Sequence, residues 1–378
     1  MLEIALKLLK KIEKSGFSAY IVGGFVRDYI MGRNSADVDI ATNATPKQLR
    51  EIFPNSSIAK EAYGSITVVL KKVRFEITTF RRELTYYNNR KPIEIEYIDD
   101  LLEDLKRRDF TINTLCMDSN KNIIDLLNGR VDIDNKLIRT VGDSVEKFSE
   151  DALRILRAVR FATILNFNLT PEVYDAIIKT KKYLSNISYN RKKDELDKIF
   201  MSPNAKHGIE LIKRLGLDSS LEIYNIDEIK LSTDLVGIWS SLNVSPNYPF
   251  TKAEKELMDK IKEVAPLDNY DRRVLYKYGP YVNRVAAINK GLDESVVVNV
   301  YNSLPIKAKG DINISAKKIM EILSMPPGKY LNKIYRLYEN NNNKFIICDK
   351  FNVSRKLLRD IPKINREYDA FELFERMI

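Results

Sequence analysis

Histidine occurs once in this chain, at His207, and cysteine only at Cys116 and Cys348. A single histidine cannot build a His-rich metal site. A Ser/His/Asp triad would rest wholly on His207, which sits in KHGIELIKRLG, a stretch with the spacing of an ordinary helix. The two cysteines stand far apart and outside any CxxC pair, which argues against a disulfide framework or a zinc site; both read as buried thiols. Long apolar runs are absent too: no stretch approaches the roughly 18 residues a membrane span needs. The opening MLEIALKLLKKIEKS has lysines interrupting its apolar stretches, and Leu2, Ala5, Leu8, Leu9 and Ile12 recur as one face of an amphipathic helix rather than as a signal peptide. A cytoplasmic protein without membrane contact is therefore expected.

What the chain does contain is length, ordinary apolar content and an excess of positive charge. Its 378 residues, 44% of them apolar, allow two or more domains with real cores. Lys and Arg number 62 against 52 Asp and Glu, a net +10 that suits a polyanionic partner. The last 78 residues hold 15 Lys and Arg against 9 Asp and Glu, whereas residues 201–300 are balanced at 13 against 14. If RNA is held through its phosphates, the C-terminal end is expected to contribute.

The pattern of elements changes near residue 144. Before it, short β-type runs alternate with turns and short helices: SAYIVGG, ADVDIA, and SITVVLKK with VRFEITTF as a hairpin. Between them Thr45-Pro46-Lys47-Gln48 reads as a cap, a proline at the first helical position and a glutamine closing a capping box. After it the chain reads almost wholly as helices, with breaks at NVSPNYP and MPPG. The fold class expected is α+β followed by all-α domains, divided as 1–143, 144–215 and 216–378.

The chemistry concentrates in GGFVRD (23–28) followed by DVD (37–39). On a strand the side-chain period is two, so Asp37 and Asp39 converge on one face while Val38 turns into the core. Two carboxylates so close are costly unless a cation neutralises them, and Mg²⁺ takes oxygen ligands while keeping part of its shell for substrate phosphates. Two metal ions about 3.5 to 4 Å apart could clamp an attacking hydroxyl and a leaving pyrophosphate. Gly23 and Gly24 would let backbone N–H groups approach a triphosphate, and Arg27 stands one turn on to neutralise it. Glu76 in FEITTFR, on another β-run, is a candidate third metal ligand. A Gly-Gly turn or a DxD alone is commonplace; strand, glycines, helix and DxD strand within 17 residues are not. No GxxxxGK[ST] or GxGxxG competes for the nucleotide.

Five ordered blocks, GGFVRD with DVDIAT, TTFRRE, RRDFTINTL, LIRTVGD and EDALRILRAVRFA, resemble the class II tRNA nucleotidyltransferases, the bacterial family of CCA-adding enzymes and poly(A) polymerases. The resemblance implies a mixed-sheet nucleotidyltransferase head (1–143), a helical neck that recognises the base (144–215), and a helical body and tail that bind the acceptor stem and TψC side of tRNA (216–378). It implies Mg²⁺, two ions, on Asp37 and Asp39, and CTP and ATP as substrates. Gly24, Arg27 and Arg108 would contact nucleotide, with Asp109 and Asn113 shaping the ribose side. Asp151 and Arg154 would read the base, and Arg157 and Arg160 would add nucleotide contacts. Arg81 to Ile93 corresponds to a mobile loop needed for the step from C to A, at full length here. Two departures stand out: Asn88-Asn89-Arg90-Lys91-Pro92 where the family has DxRHP, and Tyr189-Asn190-Arg191-Lys192 where it has ERI, in a helix that braces the base-reading helix.

The EDALR block also carries a reading of its own. Three apart in a helix, Asp151 and Arg154 would emerge on one face and meet a base edge together. A carboxylate only accepts and a guanidinium only donates. Cytosine and adenine each offer an amino donor beside a ring-nitrogen acceptor, whereas uracil and guanine turn a carbonyl toward the carboxylate. An i,i+3 salt bridge on a solvated face is the competing reading. The blocks leave three functions open: CCA addition, poly(A) or partial CC or A addition, and a catalytically silent tRNA-binding protein, against which intact Asp37, Asp39 and Arg154 argue.

Overall fold

The computed structural model describes residues 1–35, 37–57, 64–87, 91–232, 234–304, 307, 315–323, 326–329, 331, 332 and 335. It divides the chain into two units, Met1–Ile229 with Leu242–Pro249, and Lys230–Ser241 with Phe250–Ile378.

In the first unit, helix α1 (Leu2–Lys14) forms because its apolar positions recur at helical spacing, and it buries Ala5, Leu6, Leu8, Leu9 and Ile12. Each such leucine or isoleucine truncated to alanine would cost about 2 to 5 kcal/mol. Strand β1 (Ala19–Val22) ends at Gly23, whose φ of 78° and ψ of −139° belong to glycine and open the turn into α2 (Gly24–Ile30). Then follow β2 (Val38–Thr42) and α3 (Pro46–Ile52), the latter started by the expected capping box of Thr45 and Gln48. Strands β3 (Ser65–Leu70) and β4 (Val73–Thr79) make the expected hairpin. Segments β5 (Arg81–Tyr87) and β6 (Lys91–Tyr97) pair as a separate antiparallel ribbon where the family resemblance implied a loop. Asn88, Asn89 and Arg90 lie outside the described residues.

After α4 (Leu101–Lys106) come the short strands β7 (Cys116–Met117) and β8 (Ile123–Ile124). The main sheet runs β3-β4-β2-β1-β7-β8 and is mixed: β2 and β4 are parallel, the other pairs antiparallel. Val22, Asp39 and Glu76 stand side by side across β1, β2 and β4. The apolar residues of these strands, Ile21, Val38, Ile40, Phe75 and Ile77, are buried, which fixes the register and leaves every second residue of β2's leading end toward solvent.

From α5 (Gly129–Asp134) the unit turns helical, with a two-strand parallel link between β9 (Leu137–Ile138) and β10 (Asn168–Leu169). Between them lie α6 (Ser144–Glu150) and α7 (Leu153–Leu165), and beyond them α8 (Pro171–Thr180), α9 (Tyr189–Phe200), α10 (Ala205–Leu215) and α11 (Asp218–Leu221). His207 on α10 places Nε2 3.0 Å from the Phe167 carbonyl oxygen, a structural role as expected. Cys116 is buried and free, its thiol pushed up to about 12 chiefly by that burial; Cys348 lies outside the described residues.

Among the described residues the second unit contains α12 (Leu235–Ser240), α13 (Lys252–Val264), α14 (Arg272–Asn289), α15 (Glu294–Asn302) and α16 (Ala316–Leu323). Helix α14 kinks at Gly279, which has φ 80° and ψ 170° and precedes Pro280; buried Asn283 donates to the Gly279 carbonyl oxygen at 2.8 Å. No described helix is long and apolar enough to cross a membrane. Most of the basic C-terminal stretch expected to meet RNA lies outside the described residues.

Candidate active site

One cavity of about 690 Å³ in the first unit brings together Gly23, Gly24, Arg27, Asp37, Asp39, Arg108, Asp109, Asn113, Asp151, Arg154, Arg157 and Arg160. These are all the residues expected for the site except Glu76. That residue is the register neighbour of Asp39 and lines an adjoining cavity of about 400 Å³, which shares Asp39, Arg107 and Arg108 with the larger one. Among the described residues no three or more His, Cys, Asp or Glu are gathered closely enough to hold a metal ion.

The acid edge follows from strand geometry. Asp37, just ahead of β2, and Asp39 within it are exposed to the cavity, while Val38 between them is 2% exposed and packs inward. Two carboxylates on one face, open to solvent and facing arginines, are the donor set a hard divalent cation takes.

Arginines line the same cavity, several of them set by carboxylates. Arg27 is buried and donates to Asn113 Oδ1 at 2.8 Å, and through Nε and Nη2 to Asp28 Oδ1 at 2.9 and 2.8 Å. Asn113 in turn donates to Asp109 at 3.2 Å. Asp109 accepts from the Phe110 N–H at 2.8 Å and from Arg157 Nε at 2.7 Å, with Arg157 Nη2 at 2.6 Å. Burial alone would raise the Asp109 carboxyl, but the Arg157 charge and these hydrogen bonds outweigh it and hold it down to about 2. The relay therefore runs Arg157, Asp109, Asn113, Arg27, with the Asp109 charge raising the pKa of Arg157.

Asp104 does the same for the neighbouring pair. Fully buried on α4, it receives Arg107 Nε at 2.8 Å, Arg108 Nη2 at 3.2 Å and the Arg81 N–H at 3.2 Å. Its burial is again outweighed by the two guanidinium charges, so its carboxyl lies below the usual range. Arg108 also stands over the glycine turn: a Cβ on Gly23 would meet Arg108 Nη1 at 3.6 Å.

The base-reading pair requires a correction. Asp151 and Arg154 line the same cavity but do not share a helix: Asp151 has extended backbone, φ −140° and ψ 103°, at the break between α6 and α7. Its carboxylate accepts the Leu153 N–H at 3.1 Å, so the side chain satisfies an otherwise orphaned amide and competes with a continuous helix. Nor does the i,i+3 bridge form among the described residues, since Asp151 receives Arg191 Nη2 at 3.1 Å. Arg154 pairs with Glu150 and donates to the carbonyl oxygens of Lys147 at 3.0 Å and Arg107 at 3.2 Å. Arg160 faces Glu195 of α9 at 2.6 Å.

Sequence reasoning missed the partners Asp28, Asp104, Glu150, Arg191 and Glu195. Asp104 and Glu150 had a local signal, acids three or four residues before arginines on the same helix or its extension. Arg191 and Glu195 had none, because they reach Asp151 and Arg160 from another helix.

Paired aspartates at the head of a sheet strand, sharing a cavity with several arginines, are an arrangement that suits nucleotidyl transfer. Residues 19–139 match the poly A polymerase head domain, and residues 166–221 match the probable RNA and SrmB-binding site of polymerase A. The CCA-adding enzyme of Ligilactobacillus salivarius (strain UCC118) is 34% identical, covering 94% of this chain and 96% of its own; that of Bacillus subtilis (strain 168) is 35% identical, covering 87% and 90%. The crystal structure of the Bacillus stearothermophilus CCA-adding enzyme in complex with CTP superposes with a TM-score of 0.77 at 29% identity, covering 90% of this chain and 93% of that one. This chain belongs to the family of CCA-adding enzymes.

Proposed function

We propose that the protein builds the CCA end of tRNA without a nucleic-acid template, adding C, C and A from CTP and ATP and releasing pyrophosphate each time. The observation that carries this reading is the single cavity in which an exposed acid edge, several arginines and the Asp151/Arg154 pair meet. The similarity to enzymes of that name along nearly the whole chain supports it. In each step the tRNA 3′-hydroxyl oxygen would attack the α-phosphorus, its proton passing to solvent, as the bond to pyrophosphate breaks.

Asp37 and Asp39 fit a divalent cation, and we assign them Mg²⁺, two ions, with Glu76 as a further carboxylate beside Asp39. When bound, such cations offset the negative charge on the triphosphate and on the attacking oxygen. Gly23 and Gly24 leave the backbone open to the phosphates, and Arg27, Arg108, Arg157 and Arg160 supply the matching positive charge. Asp109 and Asn113 hold two of those arginines in place and border the ribose. Because Arg27, Arg108 and Arg157 are already fixed by hydrogen bonds, little reorganisation of their side chains opposes transfer.

Asp151 and Arg154 would read the base from the helix break. A carboxylate has about four lone-pair sites, so Asp151 can accept an amino group of cytosine or adenine beside Arg191 and the Leu153 N–H. Arg154 would donate to the adjoining ring acceptor. Uracil and guanine meet like groups there, a mismatch worth about 10- to 100-fold. Residues 1–143 would then serve as head, 144–215 as neck and 216–378 as the body and tail that grip the acceptor stem and TψC side. From that activity we infer a cytoplasmic enzyme.

The test is to incubate the full chain and Mg²⁺ with tRNA ending at the discriminator base, supplying each nucleoside triphosphate alone and CTP with ATP, and to sequence the 3′ ends. CCA with both nucleotides is expected. Long A tails from ATP alone would make the protein a poly(A) polymerase, arrest at CC would make it a partial enzyme, and no addition would refute nucleotidyl transfer.

A further inference from the structure

Phe161 has no polar side-chain atom, yet it lines the active cavity and gathers three cations. The guanidinium carbons of Arg27, Arg157 and Arg160 lie 5.2, 5.4 and 4.3 Å from its ring centroid. The ring is 8% exposed, and Phe110 packs against it edge to face, centroids 5.7 Å apart at 78°. Cations are drawn to the negative face of an aromatic ring, the more strongly when water is excluded.

The three arginines come from two helices and would repel one another. Two have directional carboxylate partners, Asp28 for Arg27 and Asp109 for Arg157. Arg160 differs. Its Nε lies 2.6 Å from Glu195 Oε2, but both atoms are buried without a hydrogen bond, so the contact is one of charge and not of aligned donor and acceptor. Burial and the neighbouring Arg157 charge lower the Arg160 pKa, against the pull of Glu195. The guanidinium with the weakest directional hold is also the one nearest the ring.

We propose that Phe161 is a positioning residue whose π face holds Arg27, Arg157 and Arg160 together in the disposition that receives a triphosphate. This rests on reading the cavity as a nucleotide site, and it gives an apolar residue a part in nucleotide binding through the arginines. Without the aromatic ring the cations would still be present, but Arg160 above all would have to be ordered when the ligand arrives, and affinity would fall.

A test that keeps the shape of the side chain uses the full-length protein with phenylalanine, 4-fluoro-, 3,5-difluoro- or 3,4,5-trifluorophenylalanine at position 161. Each fluorine withdraws electron density from the face and changes the volume little. Calorimetry with inorganic triphosphate at fixed ionic strength should show affinity falling stepwise along the series, by about three- to tenfold in all. The KM for CTP should rise in parallel, with kcat within about twofold. Phe161→Leu should match the trifluoro ring, and Phe161→Tyr should stay near the parent. Triphosphate affinity that is absent in the parent protein, or flat across the series while only the melting temperature moves, would overturn the proposal. A clear gradient in a protein that adds neither C nor A to tRNA would leave the role of Phe161 standing and refute the assigned reaction; CCA addition with a flat series would do the reverse.

Discussion

Aspartates in two parts of the cavity face opposite fates. At the head of β2, Asp37 and Asp39 are exposed on one side of a strand. Asp109, which lines the same cavity, and Asp104, which holds Arg107 and Arg108 of its lining, are buried, each fastened to guanidinium and backbone N–H groups. The same side chain is held out to solvent in the first place and anchors arginine side chains in the second. Exposure decides which. A carboxylate open to water can exchange it for a metal ion, whereas a buried one is held ionised by its guanidinium neighbours and the hydrogen bonds it accepts.

The contrast breaks first at the exposed pair. Asp39→Ala should lower nucleotide incorporation by about 10³-fold or more, the loss of several kcal/mol of charge stabilisation, while urea denaturation shows a near-parental midpoint. Asp109→Asn should do the opposite: by removing the countercharge of the partly exposed Arg157 and weakening its hydrogen bonds it should cost about 1 to 3 kcal/mol of folding stability, read from the same denaturation curves. If the two substitutions exchanged these signatures, the division of labour would be wrong.

A finer cut separates selection from transfer. Arg154→Ala should let UTP and GTP compete, reducing discrimination against them by about 10- to 100-fold in single-nucleotide incorporation assays, with less effect on the rate for CTP. Equal loss of transfer with unchanged selectivity would remove Arg154 from base reading.

The smallest effect is on acid stability. The Asp109 carboxyl is depressed to about 2 in the fold, from an ordinary value near 4. Its contribution is therefore complete above about pH 4 and is lost as the pH falls toward about 2, a span worth at most about 2.5 kcal/mol. Asp104, shifted the same way, adds with the same sign. Asp109→Asn should flatten that part of the profile; an unchanged slope would mean Asp109 is not held by Arg157 in solution.

Much of the exposed half is legible in the amino-acid sequence alone. Alternation in DVD, the Thr45/Gln48 box, the β3–β4 hairpin and the glycine turn are all written in spacings of two to four residues, where backbone geometry acts directly. The buried half is partly legible: Asp104 stands three and four residues before Arg107 and Arg108, but nothing in that spacing says that it is buried. The break at Asp151 is hidden because apolar periodicity runs straight through EDALRILRA, while the competing bond is made by a side chain to its own backbone. The contacts of Arg191 with Asp151 and Glu195 with Arg160 join α9 to the α6–α7 segment, and no local rule reaches that far. The β5–β6 ribbon shows local propensity prevailing where the resemblance implied a loop.

The most direct test of the two kinds of aspartate is a count of bound Mn²⁺ by electron paramagnetic resonance in the presence of CTP, comparing parent, Asp39→Ala and Arg154→Ala proteins. Two ions per chain are expected in the parent and in Arg154→Ala, with loss of tight binding in Asp39→Ala. Undiminished Mn²⁺ binding in Asp39→Ala would contradict the assignment of the strand-borne acids as the metal site.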